Sequence, residues 1–235
     1  MKKLIRILSL IPLAGTAAVY RLLPDKIPMH YDITGTVDRW GARYEAFFIP
    51  AAILLLTVFW TVLINVFEKK ATAGTDEKAR AGAASNAKVL SVAGAAMVAV
   101  MTGIQGFLLY DACRRAGGGA TDTGRYASRL FCILLGALMI VLGNLTPKTR
   151  RHGVVGVRTK WSRYNDVTWR KTNRFGGAAM VTAGALTAAA AFLPNATAAG
   201  VAVLVLFAAA LIATLAYSHT VYKKEKAAGN AADPT

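Results

Sequence analysis

One uninterrupted apolar segment reads Ala46-Phe-Phe-Ile-Pro-Ala-Ala-Ile-Leu-Leu-Leu-Thr-Val-Phe-Trp-Thr-Val-Leu-Ile-Asn-Val-Phe67, 22 residues without a charged side chain. A helix needs about 20 apolar residues to cross the hydrocarbon core of a bilayer, so this segment predicts a membrane span. Five other apolar runs are of similar length, and together they predict six spans. The six runs cover residues 4–20, 46–67, 89–110, 130–145, 175–193 and 196–217.

The composition agrees with a chain that lies mostly in lipid. Of the 235 residues, 55% are hydrophobic and only 17% are charged, whereas soluble domains carry about 25% charged residues. The six runs fill about half of the chain, which leaves little room for a separate soluble domain. We therefore predict an all-α, polytopic membrane protein, a bundle of six transmembrane helices.

The distribution of Lys and Arg predicts how this bundle is oriented. The formal net charge is +16, and in membrane proteins basic residues concentrate in cytoplasmic segments. With the N-terminus inside, 20 of the 28 basic residues face the cytoplasm. This arrangement places both termini and 147–174 in the cytoplasm, and 24–45 and 111–129 outside. Four Arg in 111–129 run against the rule.

The first run has a second interpretation, as a cleaved signal peptide that begins Met1-Lys2-Lys3. Arg6 and Pro12 interrupt its apolar stretch, so we keep it as a helix. The predicted organisation is a helix pair with an extracytoplasmic loop over 1–67, followed by a four-helix region over 68–235 with the basic loop 147–174.

Small residues at every fourth position predict close helix packing in two of the spans. An alanine-rich chain also produces such stripes by chance. The stripes are Ser91, Ala95, Ala99 and Gly103 in the third span, and Ala179, Ala183, Thr187 and Ala191 in the fifth.

Signs of catalysis or of ion transport are absent from the sequence. No ionisable residue lies near the centre of a predicted span, which argues against a pump or a proton-driven carrier. Phosphate-loop, zinc-protease and serine-hydrolase motifs are absent, so we expect no enzyme, no catalytic residue, no cofactor and no metal. Cys113 and Cys132 both fall near the outer face, where a disulfide is one alternative and two free thiols are the favoured one.

The outer segment 27–41 is polar and turn-forming. Asp32 and Gly35 suit a tight hydrogen-bonded turn. His30, Asp32 and Asp38 are close enough in sequence for a surface metal to be the alternative, although their spacing matches no fixed ligand rule. The aromatic residues that suit an interfacial belt are Trp40, Tyr44, Phe47 and Phe48.

The inner segment 144–177 is basic and aromatic. Asn165 followed by Asp166 predicts a helix start, after which Trp169, Asn173 and Gly177 share one face. Nine Lys and Arg lie in 147–174, interleaved with aromatic residues, which suits contact with anionic lipid headgroups. Direct binding of nucleic acid is disfavoured because spans tether both ends of the segment.

These two segments resemble known sequences. The inner one resembles the signature of the SdpI family of bacterial immunity proteins, at Gly143, Asn144, Pro147 and Lys148, then Gly156, Arg158, Thr159 and Trp161, then Trp169, Thr172, Arg174, Gly176 and Gly177. The outer one, from Pro28 to Trp40, resembles an uncharacterised domain often found ahead of that family. Two positions depart from the signature, because Lys160 replaces the usual Pro and Asn173 replaces the usual His.

The resemblance implies a multi-pass protein of the bacterial plasma membrane that protects its cell from a secreted antimicrobial peptide toxin. It also implies, for some members, that a DNA-binding repressor is held at the membrane. The residues expected to bind at the inner face are Asn144, Pro147, Lys148, Arg158, Thr159, Trp161, Trp169 and Arg174. At the outer face His30, Asp32, Gly35 and Asp38 are expected to have a binding or a structural role. The alternative is a membrane enzyme or flippase that binds a lipid headgroup, with Arg158 holding a phosphate.

Overall fold

The structure is a computed structural model, and it describes residues 1–73, 76–118, 123–151 and 155–229. In these ranges the chain forms six α-helices and one two-stranded antiparallel hairpin. In chain order the elements are α1 (Lys2–Val19), β1 (Lys26–Tyr31), β2 (Val37–Ala42), α2 (Phe48–Ala73), α3 (Glu77–Ala116), α4 (Thr123–Leu145), α5 (Asp166–Ala190) and α6 (Ala196–Ala227).

The predicted helical membrane bundle is confirmed, with a difference at the fifth span. Five helices of the described chain are long and apolar enough to cross a membrane, and α5 is not among them. Helix α5 packs between α4 and α6. Its face toward them is built from small and polar residues such as Gly184 and Thr187, so its low hydropathy reflects contact with protein rather than with lipid.

Several helices extend well beyond their apolar runs. Helix α3 begins at Glu77 rather than at 89 and has 40 residues, a length of about 60 Å. Helix α4 begins at Thr123 rather than at 130, and α6 ends at Ala227 rather than at 217. The predicted loops 68–88 and 111–129 are therefore largely helical, because Ala, Glu, Lys and Arg are strong helix formers outside hydrocarbon as well.

The helices pack as two groups of three. Helices α1, α2 and α3 contact one another, as do α4, α5 and α6, and α3 also contacts α4. Ile5 of α1, Ile53 and Ile64 of α2 and Leu90 and Val98 of α3 form the buried core of the first group.

Two pairs of glycines bring α4 and α5 into backbone contact. A Cβ on Gly184 would lie 2.7 Å from the Gly136 carbonyl oxygen, and one on Gly177 would lie 2.6 Å from the Gly143 carbonyl oxygen. The glycines in each helix are seven residues apart, so both pairs lie on one face.

The two predicted small-residue stripes fare differently. In α5, Ala183, Thr187 and Ala191 are buried and Ala179 is half-buried, as a contact face requires. The α3 stripe is wrong at Ala99, which is exposed. The glycine pairs of α4 and α5 repeat at seven residues, which a search at four-residue spacing overlooks.

The hairpin is an addition to the predicted all-α fold. Strand β1 pairs with β2 through Ile27 opposite Gly41 and Tyr31 opposite Val37, with irregular register between them. The sequence predicted a turn in this segment but not the strands around it.

The bundle has two distinct ends. At the hairpin end, Tyr31 donates a hydrogen bond to Asp111 near the end of α3, and Ile33 packs against Gly200 of α6. At the opposite end, here called the basic end, Ser85 of α3 donates to the Lys148 carbonyl oxygen at 3.2 Å. The order of the predicted spans requires this grouping of segments, and the orientation that Lys and Arg indicate for the two ends stays a prediction.

The thiols of Cys113 and Cys132 are both free. Cys113 is half-buried in α3, and Cys132 is buried in α4 against Ala191 and Ala199. Of the two alternatives from the sequence, the structure contains the unpaired thiols.

Candidate functional site

A buried side-chain amide helps to fix the loop before α5 to that helix. Asn173 is 1% exposed. Its Oδ1 accepts a hydrogen bond from the Val157 amide at 2.7 Å, and its Nδ2 donates to the Trp169 carbonyl oxygen at 3.0 Å. Gly156 has a φ of +129°, and a Cβ there would collide with the Asn173 Oδ1, so glycine is required for this approach.

A cluster of hydroxyl groups fixes the next residues of the loop to α6. The Ser162 amide donates to the Thr159 Oγ1 at 3.0 Å, and the Ser162 Oγ donates to the Val157 carbonyl oxygen at 2.6 Å. The Thr159 Oγ1 lies 3.2 Å from the Ser218 Oγ of α6. Trp161 packs its ring on that of His219, with 4.8 Å between centroids.

Helix α5 begins as the sequence predicts. Asn165 caps it by accepting a hydrogen bond from the Thr168 amide at 2.8 Å, and the Thr168 hydroxyl accepts from the Asn165 amide at 3.0 Å. Asp166 follows in the first turn, where its charge favours the positive end of the helix dipole.

The three residues that were predicted to share one face of α5 do so, and that face is buried. Trp169, Asn173 and Gly177 are all buried. The Trp169 Nε1 donates to the Thr149 carbonyl oxygen at 3.0 Å, and Pro147 packs against Gly177. The aromatic residues of this segment were expected at lipid headgroups, but Trp169 is only 2% exposed and packs inside the protein.

An open cleft of about 1240 Å³ lies at the basic end, between α2, α3, the residues after α4 and the start of α5. We call it the basic cleft. From the described part of the chain, five basic and two acidic side chains line it, which leaves an excess of positive charge. These charged residues are Lys70, Lys148, Arg150, Arg151, Arg170, Asp76 and Asp166.

The structure divides the predicted inner-face residues between several places. Pro147, Lys148 and Trp169 line the basic cleft. Thr159 and Trp161 contact α6 instead. The remaining three are exposed and lie outside the cleft: Asn144, whose Nδ2 donates to the Ile140 carbonyl oxygen of its own helix, Arg158 and Arg174.

Sequence reasoning missed several residues that form this region. Thr149, Ser162, Arg151 and Asn86 carry no motif of their own, and their partners are distant in sequence or on other helices. Asn173 was noted for its place on one helix face and as a departure from the signature, but the link that its amide makes between loop and helix was not predicted. Only the run of nine basic residues in 147–174 could have indicated the cleft.

At the hairpin end, Asp32 and Gly35 form the predicted turn. The Asp32 Oδ1 accepts from the amides of Thr34 at 2.8 Å and Thr36 at 3.0 Å, and its Oδ2 accepts from the Thr36 hydroxyl at 2.8 Å. These hydrogen bonds, led by those from the hydroxyls of Thr34 and Thr36, lower the pKa of Asp32 to about 2. Gly35 has a φ of +81°, as a glycine turn requires.

The other two candidates of the outer segment pair with each other. The His30 Nδ1 lies 2.7 Å from the Asp38 Oδ1, across the hairpin. Asp32 is occupied by its own turn, and among the described residues no three His, Cys, Asp or Glu are grouped to hold a metal ion.

A buried contact between the hairpin and α3 was not predicted. Asp111 is fully buried and accepts hydrogen bonds from the Tyr31 hydroxyl and from the Arg115 Nε, the latter at 2.7 Å. Burial raises the pKa of the Tyr31 hydroxyl, and the Asp111 carboxylate adds to the shift. The guanidinium of Arg115 also lies over the ring of Trp40 at 5.5 Å.

Comparison with known families identifies two regions. Residues 148–218 match the model of the SdpI/YfhL protein family, and residues 7–63 match a domain of unknown function, DUF1648. Searches of curated proteins and of solved structures give no match. The first region covers α5, most of α6 and the loop 155–165 before α5, which we call the anchored loop. The second region covers most of α1, the hairpin and most of α2. The chain is therefore a multi-span helical membrane protein in which a region that matches DUF1648 precedes a region that matches the SdpI/YfhL family model, as the two sequence resemblances predicted.

Proposed function

We propose that this protein is a membrane immunity factor, which protects its cell from a secreted antimicrobial peptide without enzymatic chemistry. The observation that carries the proposal is the SdpI/YfhL match over residues 148–218. Those residues form the anchored loop and the two helices that hold it. The protein would either bind the peptide or alter the membrane target that the peptide uses.

The geometry supports Arg158 as a contact residue of this function. Its two neighbours are fixed, because the Val157 amide is bonded to Asn173 and the Thr159 amide to Ser162. Arg158 itself is exposed, and among the described residues no hydrogen bond or ion pair engages it. A guanidinium on a fixed backbone is preorganised for a planar, two-oxygen partner, such as a carboxylate or a phosphate.

In this proposal the basic end faces the cytoplasm of a bacterial cell and the hairpin faces outward. The excess of Lys and Arg at the basic end supports this orientation. A peptide arriving from outside would meet the hairpin, whereas a cytoplasmic DNA-binding repressor would meet the anchored loop. The protein would thus have a surface for each of these two partners.

The basic cleft favours a second candidate from another class, a lipid-headgroup enzyme or flippase. Five cationic side chains around one opening suit a phosphate group. The neighbouring genes distinguish the candidates: a small secreted-peptide gene supports immunity, a repressor gene supports signalling, and lipid-biosynthesis genes support the enzyme.

The direct test is survival of a sensitive bacterium that produces the full chain and is challenged with the secreted peptide of the producing cell. The proposal predicts growth with the chain and killing with an empty vector. Killing in both, with the chain present in the membrane by immunoblot, would refute the immunity function.

A further inference from the structure

The basic cleft combines three features that point to a small amphipathic anion. Among the described residues, its charged lining consists of five basic and two acidic residues, an excess of three positive charges. The Arg151 side chain is only 9% exposed, and its Nε lies 3.5 Å from the Asp166 Oδ1. The Arg151 guanidinium and the Asp166 carboxylate therefore lie side by side in the wall of the cleft.

A buried acceptor in the same cleft has no hydrogen-bond partner among the described residues. Asn86 is 5% exposed, and no described donor reaches its buried Oδ1. A buried oxygen in this state is costly, and a donor from a bound molecule would remove the cost. The basic side chains alone would suit any anion, but the Asn86 oxygen is complementary to a ligand that also carries a hydroxyl or amide donor.

The cleft also has an apolar wall at the level where two membrane spans end. Phe67, the last residue of one apolar run, lines it together with Pro147, which follows another. The ammonium group of Lys70 lies 5.6 Å from the centre of the Phe67 ring. Basic residues just beyond a span lie at the depth of the lipid phosphates.

We propose that the basic cleft binds a phosphate ester that carries a free hydroxyl, the chemistry of a glycerol phosphate headgroup. Arg150, Arg151 and Arg170 would hold the phosphate, and the Asn86 Oδ1 would accept a hydrogen bond from the hydroxyl. The group is either the headgroup of an anionic lipid or a free glycerol phosphate. This binding does not depend on the proposed immunity function.

The test is a titration of the full chain in detergent, followed by tryptophan fluorescence because Trp169 lines the cleft. The probes are dioctanoyl phosphatidylglycerol, dioctanoyl phosphatidylcholine and glycerol 1-phosphate. We expect saturable binding of phosphatidylglycerol and none of phosphatidylcholine. Displacement of phosphatidylglycerol by glycerol 1-phosphate identifies a site that accepts the free ester, and lack of displacement identifies a lipid site.

Paired charge variants separate a cleft from a diffuse basic surface. Arg150→Gln with Arg170→Gln removes two exposed cations of the cleft, whereas Lys160→Gln with Arg163→Gln removes two exposed cations of the same segment outside it. The first pair should weaken phosphatidylglycerol binding roughly 25-fold, since each basic residue near an anionic surface contributes a factor of about five. The second pair should change it by less than about twofold. Equal losses in both pairs, or equal binding of phosphatidylcholine by the wild type, would overturn the proposal.

The hydroxyl contact has its own test. Phosphatidylmethanol has the charge of phosphatidylglycerol but no free hydroxyl, and it should bind about three- to tenfold more weakly to the wild type. Asn86→Leu should remove this preference while binding of the charged group remains. Thermal midpoints measured without lipid establish that each variant is folded. A preference that survives Asn86→Leu in a folded protein would refute the role of Asn86.

Discussion

At the scale of single residues, Asn173 joins two parts of the chain with one amide. It is almost completely buried and satisfies the Val157 amide across a separation of 16 residues. Asn173→Ala would leave that amide and the end of the loop without a partner. We expect the variant to lose about 2–3 kcal/mol of unfolding free energy.

Arg174→Ala is the matched control, because Arg174 is the exposed neighbour of Asn173 on the same helix. It should change the unfolding free energy by less than about 0.5 kcal/mol. Thermal or denaturant unfolding of the purified chain measures both. Similar effects of the two substitutions would show that Asn173 does not anchor the loop.

The Asp32 turn is predicted to depend on pH. Its pKa is lowered to about 2 in the folded turn, below the usual value near 3.8, so the folded state favours the charged form. The contribution of these hydrogen bonds to the free energy of unfolding is therefore complete above about pH 4, and it is lost as the pH falls toward 2. A carboxyl titration by NMR should find a midpoint near 2, and a midpoint at or above 3.8 would contradict these hydrogen bonds.

The sequence predicted contacts between residues that are close in the chain, and it did not predict contacts between distant residues. The Asn165 cap and the Asp32 turn each involve partners within four residues, and their chemistry is local. The bond between Tyr31 and Asp111 spans 80 residues, and no local pattern indicates it. The basic cleft was out of reach for the same reason, because it is assembled from three helices and one loop.

At the scale of elements, hydropathy located the spans but not the helix ends. The apolar run that predicted the third span begins at 89, but α3 begins at Glu77, because hydropathy reports contact with hydrocarbon and the helix continues through water with strong helix formers. The hairpin escaped prediction because its strands are short and rich in polar residues, so their period of two is weak.

Two glycines, one at the contact between α4 and α5 and the other in α3, give predictions of opposite sign for the free energy of unfolding. Gly184→Ala places a Cβ 2.7 Å from the Gly136 carbonyl oxygen, so the two helices must separate. The variant should lose about 1–3 kcal/mol of unfolding free energy. Gly106→Ala in α3 meets nothing within 4 Å and should be neutral or gain up to about 1 kcal/mol of helix propensity. Thermal midpoints in detergent measure both. A harmless Gly184→Ala would show that α4 and α5 are farther apart than the structure has them.

At the scale of the whole molecule, the orientation of the bundle is open to chemical labelling. Single cysteines at Thr36, Gly118 and Arg163, in a protein without Cys113 and Cys132, report on exposed positions at both ends of the bundle. Thr149 would be a poor probe because it is 6% exposed. In intact cells a membrane-impermeant thiol reagent should label the first two positions and reach Arg163→Cys only after permeabilisation. Labelling of Arg163→Cys in intact cells would reverse the proposed orientation.

The central claim is that the anchored loop presents Arg158 to a specific partner during immunity. The most direct measurement is survival of a sensitive bacterium under peptide challenge when it produces the wild type, Arg158→Lys or the control Arg163→Lys, at equal membrane levels. A specific two-oxygen contact predicts that wild type and Arg163→Lys protect and that Arg158→Lys does not, because an ammonium group cannot copy the planar fork of a guanidinium. Equal survival with all three would show that Arg158 contributes only its charge to a lipid-facing surface. Killing of the bacterium that produces the wild type would contradict the immunity function itself.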